Sequence, residues 1–502
     1  MTTPAAPYLA PRFFFRNYRA HFERSHALDC YKLSEHFIYE FFESSTPFEP
    51  SALRPAAQAD TSSSDAEQAL SSALELRHSS DWSALERFCR EALPRFPSDF
   101  ELRWQLSHCL WRRHDSVAAE AVMREAALHH PDDGRVTGAI AMYLLEQSRY
   151  DEADAMYRAA LAQAPDEKWL AVDLADLELR RGMWRTGWTR FDRRLGGSAH
   201  GEKGVVARME RIGPRWRGEP LDGKRVVVYS ELGMGDDIQF VRYFPQFAQG
   251  VRSSGGEALL AVRPQLYPLI RRFVPDCVAI EGHDFGMVDY TVAMMSMPLW
   301  IGLLPHHVEG RAYLDAAPGR IDMWRRMLAS DGGNALRVGL VWAGSPTHRR
   351  DSQRSIPVDA LAPLWHLPNV AFYPVAPGRE ADIAAMRSAG ARIVGVPEYG
   401  EHFHDSAALL SALDVLVTVD SSPLHLGGAL GKPVLAMIDR VSHWCWGEDE
   451  TQPWYDSVRL VRQRAPGDWT PVVDRVAAAL SGWLIGRAAP EHQQASAPVS
   501  LG

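Results

Sequence analysis

The stretch Leu413-Asp414-Val415-Leu416-Val417-Thr418-Val419-Asp420-Ser421-Ser422-Pro423-Leu424-His425-Leu426-Gly427-Gly428-Ala429-Leu430-Gly431-Lys432-Pro433-Val434 decides the fold of the C-terminal half. An unbroken β-branched run reads as a strand covered on both faces, as in a parallel sheet. It delivers Asp420, and Ser421 and Ser422 then open a helix whose first turn offers unpaired N–H groups and a positive dipole end. Gly427 and Gly428 cost helix stability, which points to close packing or close ligand approach. His425, one turn in, reads either as a core histidine or as a group near a bound phosphate.

Working outward, short β-branched runs alternate with helical stretches from residue 221 onward, the pattern of strands joined by crossover helices. Candidate strands are 225–229, 258–262, 290–293, 337–342, 371–375, 415–419 and 434–438. A helical and polar stretch, 321–334, splits them into two sets. The expectation is two doubly wound α/β domains, 210–325 and 335–487, with a ligand in the crevice outside their strand carboxyl ends.

Two further strand ends could carry chemistry. In Val226 to Phe240, Gly233 and Gly235 permit a tight turn and close backbone approach before a new helix. Ile238 stands where a dinucleotide fingerprint has its third glycine, which disfavours NAD. Asp236 reads as a helix N-cap or as a base. In Val338 to Pro357, a buried strand ends in Trp342-Ala343-Gly344-Ser345, and Arg349, Arg350 and Arg354 crowd the next loop. Arginine forks suit a diphosphate; the alternative is a solvated basic loop.

The N-terminal half follows a different ruler. Pro97, Pro131 and Pro165 recur every 34 residues. Ala73, Ser107, Ala141 and Ala175 keep the same step, as do Ala92, Ala126 and Ala160, and Ala119, Ala153 and Gly187. A fixed period of this length means stacked helical hairpins, which bury a continuous core and leave a concave face. The array resembles tetratricopeptide repeats, with four units from about 65 to 195, the last degenerate, in a region bounded at 65–200. Residues 1–64 form an aromatic-rich arm and a Pro/Ser/Ala linker, the arm reading as a packing element or a homo-oligomer contact. Residues 488–502 have the composition of a disordered tail.

Composition excludes other classes. The chain has 502 residues, 46% apolar and 23% charged, with a net charge of −9, so no general field attracts nucleic acid or an anionic membrane. Five scattered cysteines, none in a CxxC pair, argue against a disulfide framework or zinc ribbon and fit a reducing cytoplasm. No apolar run approaches the roughly 18 residues of a spanning helix, and no signal peptide is evident. The 16 tryptophans divide between the repeats (Trp82, Trp104, Trp111, Trp169, Trp184, Trp188) and the crevice walls (Trp342, Trp444, Trp446, Trp454).

Residues 210–485 resemble the bacterial heptosyltransferase-like glycosyltransferases of GT-B fold, and the whole resembles bacterial tetratricopeptide-repeat glycosyltransferases. The matching pieces are Trp216-x-Gly218, Gly233-x-Gly235-Asp236-x-Ile238-Gln239-Phe240, Val341-Trp342-Ala343-Gly344, Arg350-Asp351-x-x-Arg354-Ser355-Ile356-Pro357, Asp420-Ser421, His425 to Val434, Trp444-x-Trp446 and Pro453-Trp454-Tyr455. The resemblance implies an inverting, metal-independent transfer from a nucleotide-diphospho-sugar, a donor substrate with no separate cofactor. By position, Asp236 would be the general base, with Gly233, Gly235 and Gln239 on the acceptor-side loop. Trp342, Gly344, Arg350, Arg354, Asp420, Ser421, Ser422 and His425 would bind the donor. Two departures stand out: Ala376-Pro377-Gly378 where relatives carry Gln-Lys-Gly, and Cys445 where they carry Arg. The expected acceptor is a protein held on the concave face of the repeats, such as a surface or flagellar protein. The alternatives are a lipid-linked or lipopolysaccharide glycan as acceptor, and a repeat scaffold with a silenced transferase domain.

Overall fold

The computed structural model describes residues 61–195, 204–329, 335–346, 348–375, 378–395 and 402–488. The arm, nearly all of the linker and the tail beyond 488 lie outside the described residues, as do Cys30, Ala376 and Pro377. The chain enters through α1 (Thr61–His78), α2 (Trp82–Ala92), α3 (Phe100–Arg112), α4 (Ser116–His129), α5 (Gly134–Glu146), α6 (Tyr150–Gln163), α7 (Lys168–Arg180) and α8 (Trp184–Phe191). Each second helix of a hairpin starts 34 residues after the last, at Trp82, Ser116, Tyr150 and Trp184. The capping chemistry keeps the same step. The side chains of Asp81, Asp99, Asp115 and Asp133 each accept a helix N–H at 2.9 Å, each worth about 1 kcal/mol. The turns inside the hairpins place Ser80, His114, Ser148 and Gly182 at φ +58°, +65°, +60° and +76°. Only the last is glycine, so the other three accept a left-handed backbone that L residues avoid.

The small residues of the 34-residue ruler occupy the helix contacts: Ala73, Ser107, Ala141, Ala175, Ala126 and Ala160 are fully buried. This is a tetratricopeptide-type solenoid.

Two parallel sheets follow. β1 (Arg225–Tyr229), β2 (Glu257–Val262), β3 (Val278–Ala279) and β4 (Tyr290–Ala293) lie in the order β3-β2-β1-β4. β5 (Leu336–Val341), β6 (Val370–Pro374), β7 (Val415–Val419), β8 (Val434–Ile438) and β9 (Val458–Arg462) lie in the order β6-β5-β7-β8-β9. Every pairing is parallel. The seven strands expected from sequence are present within a residue at each end, and β3 and β9 are additions. Trp342 falls just past β5 rather than within it. The order reversal at β1 and β5 places crevices outside the strand carboxyl ends, as in the GT-B pair of Rossmann-like domains.

The apolar core does not respect these divisions. One buried cluster runs from Leu179, Trp184 and Trp188 of the last hairpin through both sheets, while Val441 of the second domain is buried among the repeats. The tryptophans carry the junction. Trp184 stacks on Trp454 at 5.4 Å and meets Trp444 edge-on at 5.9 Å; Trp188 meets Trp444 at 5.2 Å and Phe240 at 5.7 Å. The division of tryptophans into repeat and crevice groups is therefore corrected: Trp444 and Trp454 pack with the repeat pair. Trp342, Trp444, Trp446 and Trp454 are all buried rather than walls of an open crevice.

Candidate functional site

The site is built where two helices start, one from each sheet. After β1 the chain turns through Ser230–Gly233 into α9 (Met234–Phe240), and after β7 through Asp420 and Ser421 into α10 (Ser422–Ala429). The two starts meet across the domain junction. A Cβ at Gly235 would lie 3.0 Å from His425 Cδ2 and 3.5 Å from Ser422 Cα, so glycine is what lets them approach.

Asp236 is at the third helical position, not the N-cap, which is Gly233. Its Oδ2 accepts the Gly233 N–H at 3.0 Å, so the carboxylate does close the helix start, from inside the helix. Burial raises its pKa above the ordinary aspartate range, and Asp420 adds to the rise; His443, the Gly233 N–H and Arg263 pull the other way. The next residue, Asp237, is a different case. It is buried beside Arg263 at 3.5 Å, with its pKa pushed up to about 8 by burial. Gln239 turns into the interior, fully buried.

On the facing side, Ser421 stands at the N-cap position of α10, but its Oγ donates to the Val419 carbonyl at 3.2 Å and makes no bond to a helix N–H. His425 Nδ1 pairs with Tyr455 Oη at 3.0 Å, and its ring stacks on Trp446 at 5.2 Å. Burial pushes its pKa down to about 3, so the imidazole is neutral. It is a packed histidine, the first of its two readings, and its other edge faces the start of α9.

The arginine-rich loop divides. Arg354 Nη1 donates to the Asp420 carbonyl at 2.9 Å. Its guanidinium lies flat against Gly344, where a Cβ would come within 2.4 Å of Nη2. Gly344 N–H donates to Ser355 Oγ at 3.1 Å and its carbonyl accepts from Arg379 at 2.9 Å. Arg379 directly follows the Ala376-Pro377-Gly378 departure and brings a cation to that strand end. Arg350, expected at the donor, has other partners: Glu146 of the repeats, Asp439 at 2.8 Å and the Val441 carbonyl. Arg349 also turns to the repeats, 3.9 Å from Asp173. Trp342 keeps its indole N–H on Asp382 at 2.9 Å, so it braces the first turn of the helix Glu380–Ser388 that follows Arg379.

Three contributors escaped the sequence reading. His443 acts on Asp236, His348 and His425 and packs its Nδ1 against Cys445 Sγ at 3.1 Å. His348, buried among Arg354 and Arg350, has its pKa pushed down to about 2. Arg242 joins the domains, donating to the Glu309 and Trp454 carbonyls at 3.1 and 3.0 Å while lying 4.1 Å over the Tyr313 ring. Arg242 and His443 lie between motifs and carry no spacing signal, and His348, inside the basic loop, is masked by the arginines beside it. Among the described residues no three His, Cys, Asp or Glu side chains form a metal-binding group.

The arrangement offers an acid–base carboxyl from one domain, and an arginine and a helix start from the other. Such a set can accept a proton on one side of a reacting centre and bind anionic oxygens on the other.

No family model matches the chain. It is 28% identical over 327 residues to Protein FlbA of Caulobacter vibrioides, covering 61% of this chain and 54% of that protein. The chain thus spans about half the length of the curated relative it matches. Among solved structures, a glycosyl transferase family 9 protein from Veillonella parvula covers 53% of this chain and 98% of its own at 12% identity and TM-score 0.37. A mutant of the Thermobaculum terrenum O-GlcNAc transferase covers 86% and 94% at 13% identity and TM-score 0.30. MamA from Desulfovibrio magneticus covers 29% and 75% at 15% identity and TM-score 0.23.

Proposed function

We propose that the protein is a glycosyltransferase that moves a sugar from a nucleotide-diphospho-sugar to an acceptor hydroxyl with inversion. The observation that carries this reading is the contact of the α9 start at Gly235, the residue before Asp236, with Ser422 and His425 of the α10 start, whose Asp420 carbonyl is held by Arg354. The acceptor oxygen attacks the anomeric carbon as its proton passes to the Asp236 carboxylate. The bond from that carbon to the diphosphate oxygen breaks, and the nucleoside diphosphate leaves with its charge facing Arg354 and the first N–H groups of α10. Arg354 and the α10 N–H groups supply the positive charge that the leaving diphosphate needs.

A protein acceptor remains the favoured substrate, but the place for it on the repeats narrows. The first helices α3, α5 and α7 share one face, and its C-terminal end is covered by the chain's own second domain, through Glu146–Arg350 and Arg180 on the Ser442 carbonyl. The concave face as a whole is therefore not a free peptide groove. Its other end leaves Phe100, Trp104 and Trp169 half-buried, with Trp104 and Trp169 rings 6.3 Å apart and Arg135 4.8 Å over Phe100. An extended peptide fits such an aromatic strip.

No described helix is long and apolar enough to cross a membrane. The buried unpaired thiols Cys89, Cys109, Cys277 and Cys445 accord with the cytoplasmic setting we propose. The acceptor is tested by intact mass of candidate surface or flagellar proteins co-expressed with and without the enzyme. The expected result is a sugar-mass increment that depends on the enzyme and disappears in Trp169→Ala. Increments confined to lipid-linked glycan, with all proteins unmodified, would move the acceptor to the glycan class.

A further inference from the structure

The turn that carries Arg354 is held from outside its own domain. Three successive first helices of the repeats end against the second domain at the 34-residue step. At the end of α3, the Trp111 carbonyl accepts from Gln353 Nε2 at 2.8 Å, and His114 Nδ1 pairs with Gln353 Oε1 at 2.7 Å. At the end of α5, Glu146 takes Nη1 of Arg350. At the end of α7, Arg180 donates to the Gly447 carbonyl at 3.3 Å and to that of Ser442. Helix carboxyl ends carry partial negative charge, so a basic turn is well matched to two of these three positions.

Arg350 is the centre of this contact. Both arms of its fork are used, one on Glu146 and the other on Asp439 and the Val441 carbonyl. Glu146 and Asp439 are only 6% and 3% exposed, so the pairs are shielded from salt and water. The turn is short. The helical turn Asp351–Arg354 follows at once, Ser355 Oγ bonds both Asp351 at 2.8 Å and Gly344 N–H at 3.1 Å, and Ile356 N–H returns to the Trp342 carbonyl at 2.8 Å. There is no slack between the arginine held by the repeats and the arginine facing the Asp420 carbonyl.

We infer that Glu146 of the repeats is a positioning residue for the donor site, acting through Arg350 to set Arg354 over Gly344 and the start of α10. The inference rests on the transferase reading above and extends it: the repeats are a working wall of the donor site as well as a surface for the acceptor. Removing the Glu146 charge leaves one arm of a buried guanidinium unpaired, and the turn relaxes to satisfy it. The loss falls on diphosphate binding.

The test is calorimetric binding of UDP, GDP, ADP, CDP and TDP to the full chain and to Glu146→Gln, Glu146→Asp and Arg103→Gln. Arg103 pairs with Glu125 at 2.8 Å inside the repeats, away from the turn, so Arg103→Gln reports repeat stability alone. For the nucleoside diphosphate that binds the unaltered chain, Glu146→Gln is expected to weaken binding about tenfold, the scale of coupling through a packed contact. Glu146→Asp recovers most of the loss, and Arg103→Gln lowers the melting temperature with binding unchanged. Equal binding by Glu146→Gln, or equal weakening by Arg103→Gln, overturns the positioning role while leaving the transferase reading standing. Failure of all five to bind the unaltered chain overturns the transferase reading, and this inference with it.

Discussion

Asp236→Asn is expected to lower sugar transfer by about 10²- to 10⁴-fold, the range a positioned general base contributes. Asparagine keeps the shape and an oxygen for the Gly233 N–H at 3.0 Å, so the helix start persists. What it loses is the ability to take the proton. The base works only when ionised, and burial with Asp420 nearby raises its pKa, so kcat/KM should climb with pH through a limb above the ordinary aspartate range. The same shift sets the sign of the stability effect. An acid that holds its proton more tightly in the folded state favours folding at low pH, and that contribution is lost as pH rises through its raised pKa. At neutral pH the charged carboxylate therefore costs stability, and Asp236→Asn should melt at the same temperature or higher. A variant that loses activity and melts early would instead mark Asp236 as structural.

Trp184→Ala has the largest expected effect on the scaffold, about 3–5 kcal/mol, as for truncation of a buried aromatic. Trp184 is 5% exposed, gives its indole N–H to the Leu179 carbonyl at 3.0 Å and stacks on Trp454. Its loss opens a cavity where the last hairpin, Phe240 of the first domain and Trp444 of the second come together. Calorimetry should show the unaltered chain unfolding in one transition, because the last hairpin and both sheets share one core, and the Trp184→Ala transition moved down and split. A midpoint within a degree of the original would mean that the aromatic junction adds little cohesion.

Much of this architecture was legible because it rests on local periodicity. Proline and alanine at a 34-residue step reflect helix contacts that every hairpin must repeat, and 415–419 could hardly be other than a buried strand. β9 was missed because Val458-Arg459-Leu460-Val461-Arg462 carries two arginines, one of which, Arg462, is buried and donates to the Asp439, Trp446 and Asp449 carbonyls. Nothing local distinguishes such an arginine from a solvated one. The split of the basic loop was hidden for a related reason. Arg350 and Glu146 are 204 residues apart in sequence, and only the docking of the repeats on the second domain brings them together. The Gly233–Asp236 and Asp420–His425 segments were recognisable individually, whereas their contact through Gly235 is a product of the domain arrangement.

The most direct test of the central claim is a melting-temperature screen of the purified chain against UDP, GDP, ADP, CDP and TDP, repeated with Arg354→Ala. The account predicts that one nucleoside diphosphate raises the melting temperature of the unaltered chain, and that Arg354→Ala abolishes the shift while melting normally without ligand. No shift with any of the five, or a shift that Arg354→Ala leaves intact, would contradict a donor site at Gly344, Arg354 and the Asp420–His425 helix start.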